Sequence, residues 1–219
     1  MSGRAGASAT RRRRPETFDK AYFDKWYRDP GHRVRTAAER ARQVRFVVAA
    51  AEQFLERPIT SVLDVGAGEG HWEPVLRSLR PRVRYVGVDP SEHAVRRFGP
   101  RRGIRLGSIE TLGDLALPVD FDLVLCVGML YYLTPAQFRR GIRALHAHCS
   151  GMAYLELFTA DDELEGDLPV GTARSAAWYR REMARGGWVG LGMHCWIRAA
   201  DRAGAAAMEL AHGMRTDDH

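Results

Sequence analysis

VLDVGAGEGHW, residues 62–72, decides how this chain is read. Val62, Leu63 and Val65 make a short apolar strand with Asp64 set inside it. Gly66, Gly68 and Gly70 then recur at every second position. A glycine-rich turn directly after a strand is where α/β folds bring backbone amides to a nucleotide-type ligand. A dinucleotide fingerprint is spaced G-x-G-x-x-G, whereas position 71 here is His. Asp64, two residues ahead of the first glycine, would also repel a pyrophosphate. It suits a ligand whose near end is cationic and carries no phosphate, and glycines let that end approach the backbone because no Cβ intervenes. The next apolar strand, YVGVD (85–89), ends on a second acid, Asp89. An acid there is placed to accept both hydroxyls of a ribose.

S-adenosylmethionine meets these demands: a sulfonium, an ammonium, a free ribose diol and no phosphate. Asp89 alone suits NAD equally well; Asp64 and the glycine spacing separate the two ligands. With these motifs the chain resembles the class I S-adenosylmethionine-dependent methyltransferases, small-molecule branch. The matching segments are VLDVGAGEG (62–70), YVGVDPS (85–91), RLGSIETL (105–112) and FDLVLCVGMLYYL (121–133), and the likeness runs from Ser61 to Phe158 and more loosely to Leu210. The resemblance implies an α/β, doubly wound, Rossmann-like sheet of seven strands, mostly parallel with an antiparallel last strand. That last strand is assigned to AAAMEL (205–210), hairpinned to WVGLGMHCWIRA (188–199). It implies donor contacts from Asp64, Gly66, Ala67 and Gly68, from Asp89 and Pro90, from Ser108 and Ile109 beside the adenine, and from Cys126 at the end of the fourth strand. Many members have an aspartate where this chain has Ser108, so the adenine contact departs from the family pattern.

Methyl transfer from a sulfonium is an in-line displacement that profits mainly from positioning, and a general base is needed only when the acceptor must lose a proton. The acceptor is therefore less legible than the donor. The turn after the fourth strand reads CVGMLYYL (126–133). It lacks the polar-Pro-Pro-aromatic sequence of enzymes that methylate base amines. It also lacks a Pro-Cys nucleophile, since Cys126 follows Leu125 and reads as a buried strand cysteine. The only lysines are Lys20 and Lys25, both N-terminal, so the catalytic lysine of 2′-O-methyltransferases has no counterpart. The turn instead resembles that of the small-molecule branch, with Tyr131 in place of a histidine. Tyr131, Glu156 and His71 are the catalytic candidates, each with a packing or surface role as its alternative. Tyr22, Trp26, Tyr27, Tyr131 and Glu165 are candidates for the acceptor side, and His194 reads as packed in the edge hairpin. The acceptor is expected to be an O or N atom of a small molecule, with RNA, protein or a purely donor-binding role as alternatives.

Strand and helix patterns alternate from residue 58 onward. The organisation expected is a disordered basic tail at 1–15, an N-terminal helical cap at 16–57 and a catalytic domain at 58–219. Five of the six formal net positive charges come from Arg4 and Arg11 to Arg14, in a stretch without acids. The basic character is thus mostly a tail, which leaves a nucleic-acid arm possible and not favoured. The N-terminal arginines are followed by no apolar signal segment, no apolar run reaches membrane-spanning length, and a cytoplasmic location is expected. Cys126, Cys149 and Cys195 have neither disulfide nor zinc spacing, and no metal is expected. In AYFDKWYRDPGHR (21–33) Tyr22, Trp26 and Tyr27 either staple the first long helix or cover the ligand crevice, with Pro30-Gly31 as a hinge and Arg33 facing the donor carboxylate.

Overall fold

The computed structural model describes residues 18–118, 120–162 and 174–205. The tail at 1–15, Glu165 and residues 206–210 of the expected last strand lie outside the described residues. Seven strands form one sheet: β1 (Ser61–Val65), β2 (Arg84–Asp89), β3 (Ile104–Leu106), β4 (Phe121–Cys126), β5 (Cys149–Leu155), β6 (Trp188–Gly192) and β7 (Cys195–Arg198), in the order β3-β2-β1-β4-β5-β7-β6. The pairings β1–β2, β1–β4, β2–β3 and β4–β5 are parallel, while β7 runs antiparallel to both β5 and β6. The strand order reverses between β1 and β4, the crevice where doubly wound sheets bind ligands.

One expectation is corrected. WVGLGMHCWIRA is two strands, so the edge hairpin is complete without AAAMEL. Gly192, Met193 and His194 take left-handed backbone at φ 94°, 51° and 62° and reverse the chain between β6 and β7.

Apolar stripes put helices on both faces. α2 (Ala37–Leu55) opens on a capping box, Thr36 with Glu39, and buries Val44, Val47, Val48 and Ala51. These pack with Val62, Leu76, Leu123 and Met152 in one of two core clusters. α3 (Glu73–Leu79) carries Pro74 in its first turn, where proline is tolerated. α4 (Glu92–Arg102) is capped by Ser91 and stopped by Gly103. α5 (Pro135–His148) opens on a second capping box, Thr134 with Gln137. With α6 (Ala176–Arg185) it covers the other face, where Phe138, Ile142, Leu145, Tyr179 and Met183 join Val124 and Ala153. No described helix is long and apolar enough to cross a membrane.

The amino ends of β1 and β4 are tied by one buried acid. Asp122 accepts from Arg57 at 2.6 Å and 3.2 Å, from Thr60 N at 2.6 Å and from Thr60 Oγ1 at 2.7 Å. Burial would raise its pKa, but the bonds from Arg57 and Thr60 outweigh burial and hold it down to about 2. Beside it Gly151 leaves room for a tight β4–β5 approach, since a Cβ there would stand 2.3 Å from Asp122 O. We expect Asp122→Ala to lower stability by about 2–3 kcal/mol at pH 7. Because the folded pKa lies below the ordinary 3.8, this contribution is present above that value and lost as pH falls through about 2. Urea unfolding of both proteins from pH 7 to pH 2 should show the gap between them closing; a constant gap contradicts the ionic account.

Candidate active site

Where β1 leaves the sheet, Gly66, Gly68 and Gly70 all take positive φ, at 80°, 55° and 71°. Side chains rarely adopt that backbone, which is why the turn is glycine-rich. Gly66 N and Ala67 N donate to Val88 O at 2.8 Å and 3.2 Å, pinning the turn to β2. Gly68 N donates to Asp89 Oδ2 at 2.6 Å, and Ser91 N to Asp89 Oδ1 at 2.8 Å. Each Asp89 oxygen is therefore fixed by one amide and keeps acceptor capacity for a hydroxyl. Burial raises the Asp89 pKa, and the two amides oppose that rise.

Asp64 lies in the middle of the sheet, 3% exposed, and accepts from Tyr85 Oη at 2.7 Å. Burial pushes its carboxyl up to about 7 against the Tyr85 hydrogen bond, and the charge of Asp89 adds to the rise. A carboxyl so poised gains from a nearby cation, because an opposite charge favours its ionised form.

The N-terminal segment lies across this turn. α1 (Lys20–Phe23) continues into a π-helical turn, Asp24–Arg28, with Asp29 N donating to Asp24 O at 3.0 Å. A Cβ on Gly68 would stand 2.6 Å from Tyr27 Oη and 3.3 Å from Phe23 Cε1. Phe23 is buried and stacks on His93, and Phe18 O accepts from Ser91 Oγ at 2.5 Å. Tyr27 meets the edge of His71 at 5.1 Å. Arg28 forks onto buried Glu69 at 2.7 Å and 2.9 Å, and His71 Nε2 lies 3.2 Å from the same carboxylate. Burial would raise Glu69, but hydrogen bonds from His71 and Arg28 hold it below its ordinary range. Trp26 packs instead with Lys25 at 4.3 Å and His32 at 6.0 Å. The wider π turn breaks the ordinary helical register, and Tyr27 and Trp26 part company.

A second polar group gathers beyond β4 and β5. Glu156 follows β5 directly rather than lying inside it. Buried, it takes Arg35 Nη2 at 2.6 Å and Gln43 Nε2 at 3.3 Å, while Gln43 also donates to Tyr154 Oη at 2.9 Å. A Cβ on Gly128 would stand 3.9 Å from Tyr131 Oη and 4.0 Å from Glu156 Oε2, so both groups border one space. Burial pushes Tyr131 up to about 12, so at ordinary pH it is a neutral phenol that can donate a hydrogen bond. Its ring packs on Tyr132 at 4.5 Å and Phe158 at 5.9 Å, and Tyr22 hydrogen-bonds Tyr132. His194 Nδ1 accepts from Leu157 N at 3.4 Å, which leaves its proton on Nε2. Burial lowers its pKa.

The remaining expected positions sit apart from these groups or turn inward. Ser108 Oγ is taken by its own turn, accepting from Glu110 N and Thr111 N at 3.2 Å and 3.3 Å. Ile109 is 2% exposed and packs against Gly141 of α5. Cys126 is wholly buried, and Pro90 is exposed at the end of β2. Sequence reasoning missed Arg28, Glu69, Arg35 and Gln43, which tie the N-terminal segment and α2 to the site. Gln43, a neutral amide next to the buried stripe of α2, was the one visible signal among them.

A family model described as a methyltransferase domain matches residues 27–202. No curated protein matches the sequence. Among solved structures, a magnesium protoporphyrin IX methyltransferase from Synechocystis with S-adenosylhomocysteine bound is similar at a TM-score of 0.58 and 17% identity, covering 83% of this chain and 96% of that one. The amino pentose methyltransferase CalS10 from Micromonospora echinaspora, bound to S-adenosylmethionine, gives 0.56 and 18%, covering 73% and 93%. An S-adenosylmethionine-dependent methyltransferase from Archaeoglobus fulgidus gives 0.56 and 14%, covering 78% and 76%. With four fifths of its length matched by that family model, the chain belongs to the methyltransferase-domain family.

Proposed function

We propose that the chain transfers a methyl group from S-adenosylmethionine to an oxygen or nitrogen atom of a small molecule. The observation that carries this reading is the pairing of Asp89, fixed by Gly68 N, with the poised buried acid Asp64 under one glycine turn. When bound there, the cofactor supplies an electrophilic methyl on sulfur. Asp89 would hold the ribose diol with its remaining lone pairs. Asp64 would face the cationic amino-acid end, with Gly66, Ala67 and Gly68 close to it. The adenine side would rest on the backbone near Ser108, because the Ile109 side chain is committed to the core. The similar Synechocystis and Micromonospora enzymes act on a porphyrin and an amino pentose, both small molecules.

Residues 18–35 are the cap in this reading. Tyr27 and Phe23 exclude water from the glycine turn, and the Arg28–Glu69 and Arg35–Glu156 pairs fasten the segment on either side. Tyr131 donates a hydrogen bond toward the acceptor, and Glu156 holds Arg35 and Gln43 in place. Catalysis then rests on orientation and water exclusion.

Calorimetric titration with S-adenosylhomocysteine tests the donor reading. Asp89→Ala should weaken binding by about 1.5–3 kcal/mol through lost hydrogen bonds to an ionised acceptor; unchanged affinity removes the assignment. Asp64 adds a pH signature. Its folded pKa of about 7 lies above the ordinary 3.8, so its contribution to the empty fold is lost as pH rises through 7. A bound cation favours the ionised form. Donor binding should therefore release protons near pH 7 and strengthen between about pH 6 and 8, and Asp64→Asn should abolish both effects. The cap separates its two aromatic residues: Tyr27→Ala should cut turnover about tenfold or more at nearly unchanged melting temperature, whereas Trp26→Ala should leave turnover near wild type. Equal effects of the two contradict the placement of the cap.

A further inference from the structure

A cavity of about 280 Å³ opens between α6 and the β6–β7 hairpin, on the side of β5 away from the glycine turn. Its walls are largely carbon: Tyr179, Trp188, Trp196, Val189 and Leu157 line it. Both indole N–H groups are satisfied outside it, Trp188 Nε1 by Ile142 O at 2.9 Å and Trp196 Nε1 by Leu155 O at 3.3 Å. The indoles therefore offer ring surface to an occupant and no donor. Tyr179 differs. It is 3% exposed, and its hydroxyl is buried with no hydrogen-bond partner among the described residues. A buried hydroxyl left unpaired costs free energy that a ligand atom recovers. Among the described residues Arg180, which stands at the cavity, has no ion pair, and no carboxylate side chain lines the space. The cavity reaches the polar group described above through His194, which lines it and packs on Tyr154 and Phe158. Leu157, another wall residue, directly follows Glu156.

We infer that this cavity holds the body of the methyl acceptor, and that the acceptor is a flat aromatic compound of one or two rings carrying an acidic substituent. The volume admits such a body: a dry cavity of about 150 Å³ accepts a single benzene ring. Aromatic walls favour a planar occupant. The Tyr179 hydroxyl meets a polar ring substituent, Arg180 meets the acid, and the His194 Nε2 proton faces the reacting end. This assignment rests on the small-molecule reading above and specifies its substrate class.

The test uses the full chain, with calorimetry of 6-hydroxy-2-naphthoate, 2-naphthoate and uncharged 2-naphthol, and of S-adenosylhomocysteine as the donor control. The hydroxynaphthoate should bind wild type. Ala176→Trp, which fills the cavity from α6, should abolish binding of all three aromatic probes while the donor control stays unchanged. Arg180→Gln should weaken both naphthoates about tenfold and leave 2-naphthol alone, as expected for one charge-assisted contact. Tyr179→Phe should keep the melting temperature, since the hydroxyl has no partner to lose, yet weaken the hydroxynaphthoate more than 2-naphthoate. No aromatic probe binding at millimolar concentration, or binding that survives Ala176→Trp, overturns the assignment and leaves the donor reading standing. Loss of the donor control in wild type instead removes the reading beneath it.

Discussion

The contact from Gly68 N to Asp89 Oδ2 is the constraint on which the site depends. It joins the turn after β1 to the end of β2 at 2.6 Å, and it is available only because Gly68 takes left-handed backbone. The same missing Cβ lets Tyr27 and Phe23 lie on the turn from outside. One atom's absence thus serves the sheet, the Asp89 carboxylate and the N-terminal segment together. Any residue larger than glycine at position 68 would strain the backbone and push the N-terminal segment off.

Around this point the molecule places charge where water is scarce. Glu69 and Glu156, each almost fully buried, are met by Arg28 and Arg35 of the N-terminal segment. Truncating one member of such a pair leaves an uncompensated buried charge, which is far costlier than losing a surface bridge. The two pairs hold the segment in register on both flanks of the glycine turn. Asp64 and Asp89 differ: among the described residues neither of these buried acids has a cationic hydrogen-bond partner, Asp64 taking the Tyr85 hydroxyl and Asp89 two backbone amides.

Much of the fold was legible because local signals agreed. The apolar runs 61–65, 85–89 and 121–126 and the alternation of strand and helix all point to one doubly wound sheet. The edge hairpin was not legible. Apolar residues continue through Gly192, Met193, His194 and Cys195, so one long strand fits the pattern as well as two. The reversal is made by left-handed backbone at Met193 and His194, residue types that carry no turn signal. In the candidate site, Asp64, Gly68 and Asp89 stand out in sequence because short-range spacing marks them. Arg28 and Arg35 do not, because their partners lie 41 and 121 residues away along the chain. Helical spacing from Tyr22 puts Trp26, four residues on, on its face, whereas through the π turn at Asp24–Arg28 it is Tyr27 that reaches Gly68.

The central claim is that one glycine turn binds a cationic nucleoside between Asp64 and Asp89 beneath an N-terminal cap. A crystal structure of the full chain grown with S-adenosylhomocysteine tests it most directly. The account predicts both ribose hydroxyls within hydrogen-bond distance of Asp89, the amino-acid end on the Asp64 side of the Gly66–Gly68 backbone, and Tyr27 closing over them. A ligand seated elsewhere, or an Asp89 that makes no contact with the ribose, would contradict it.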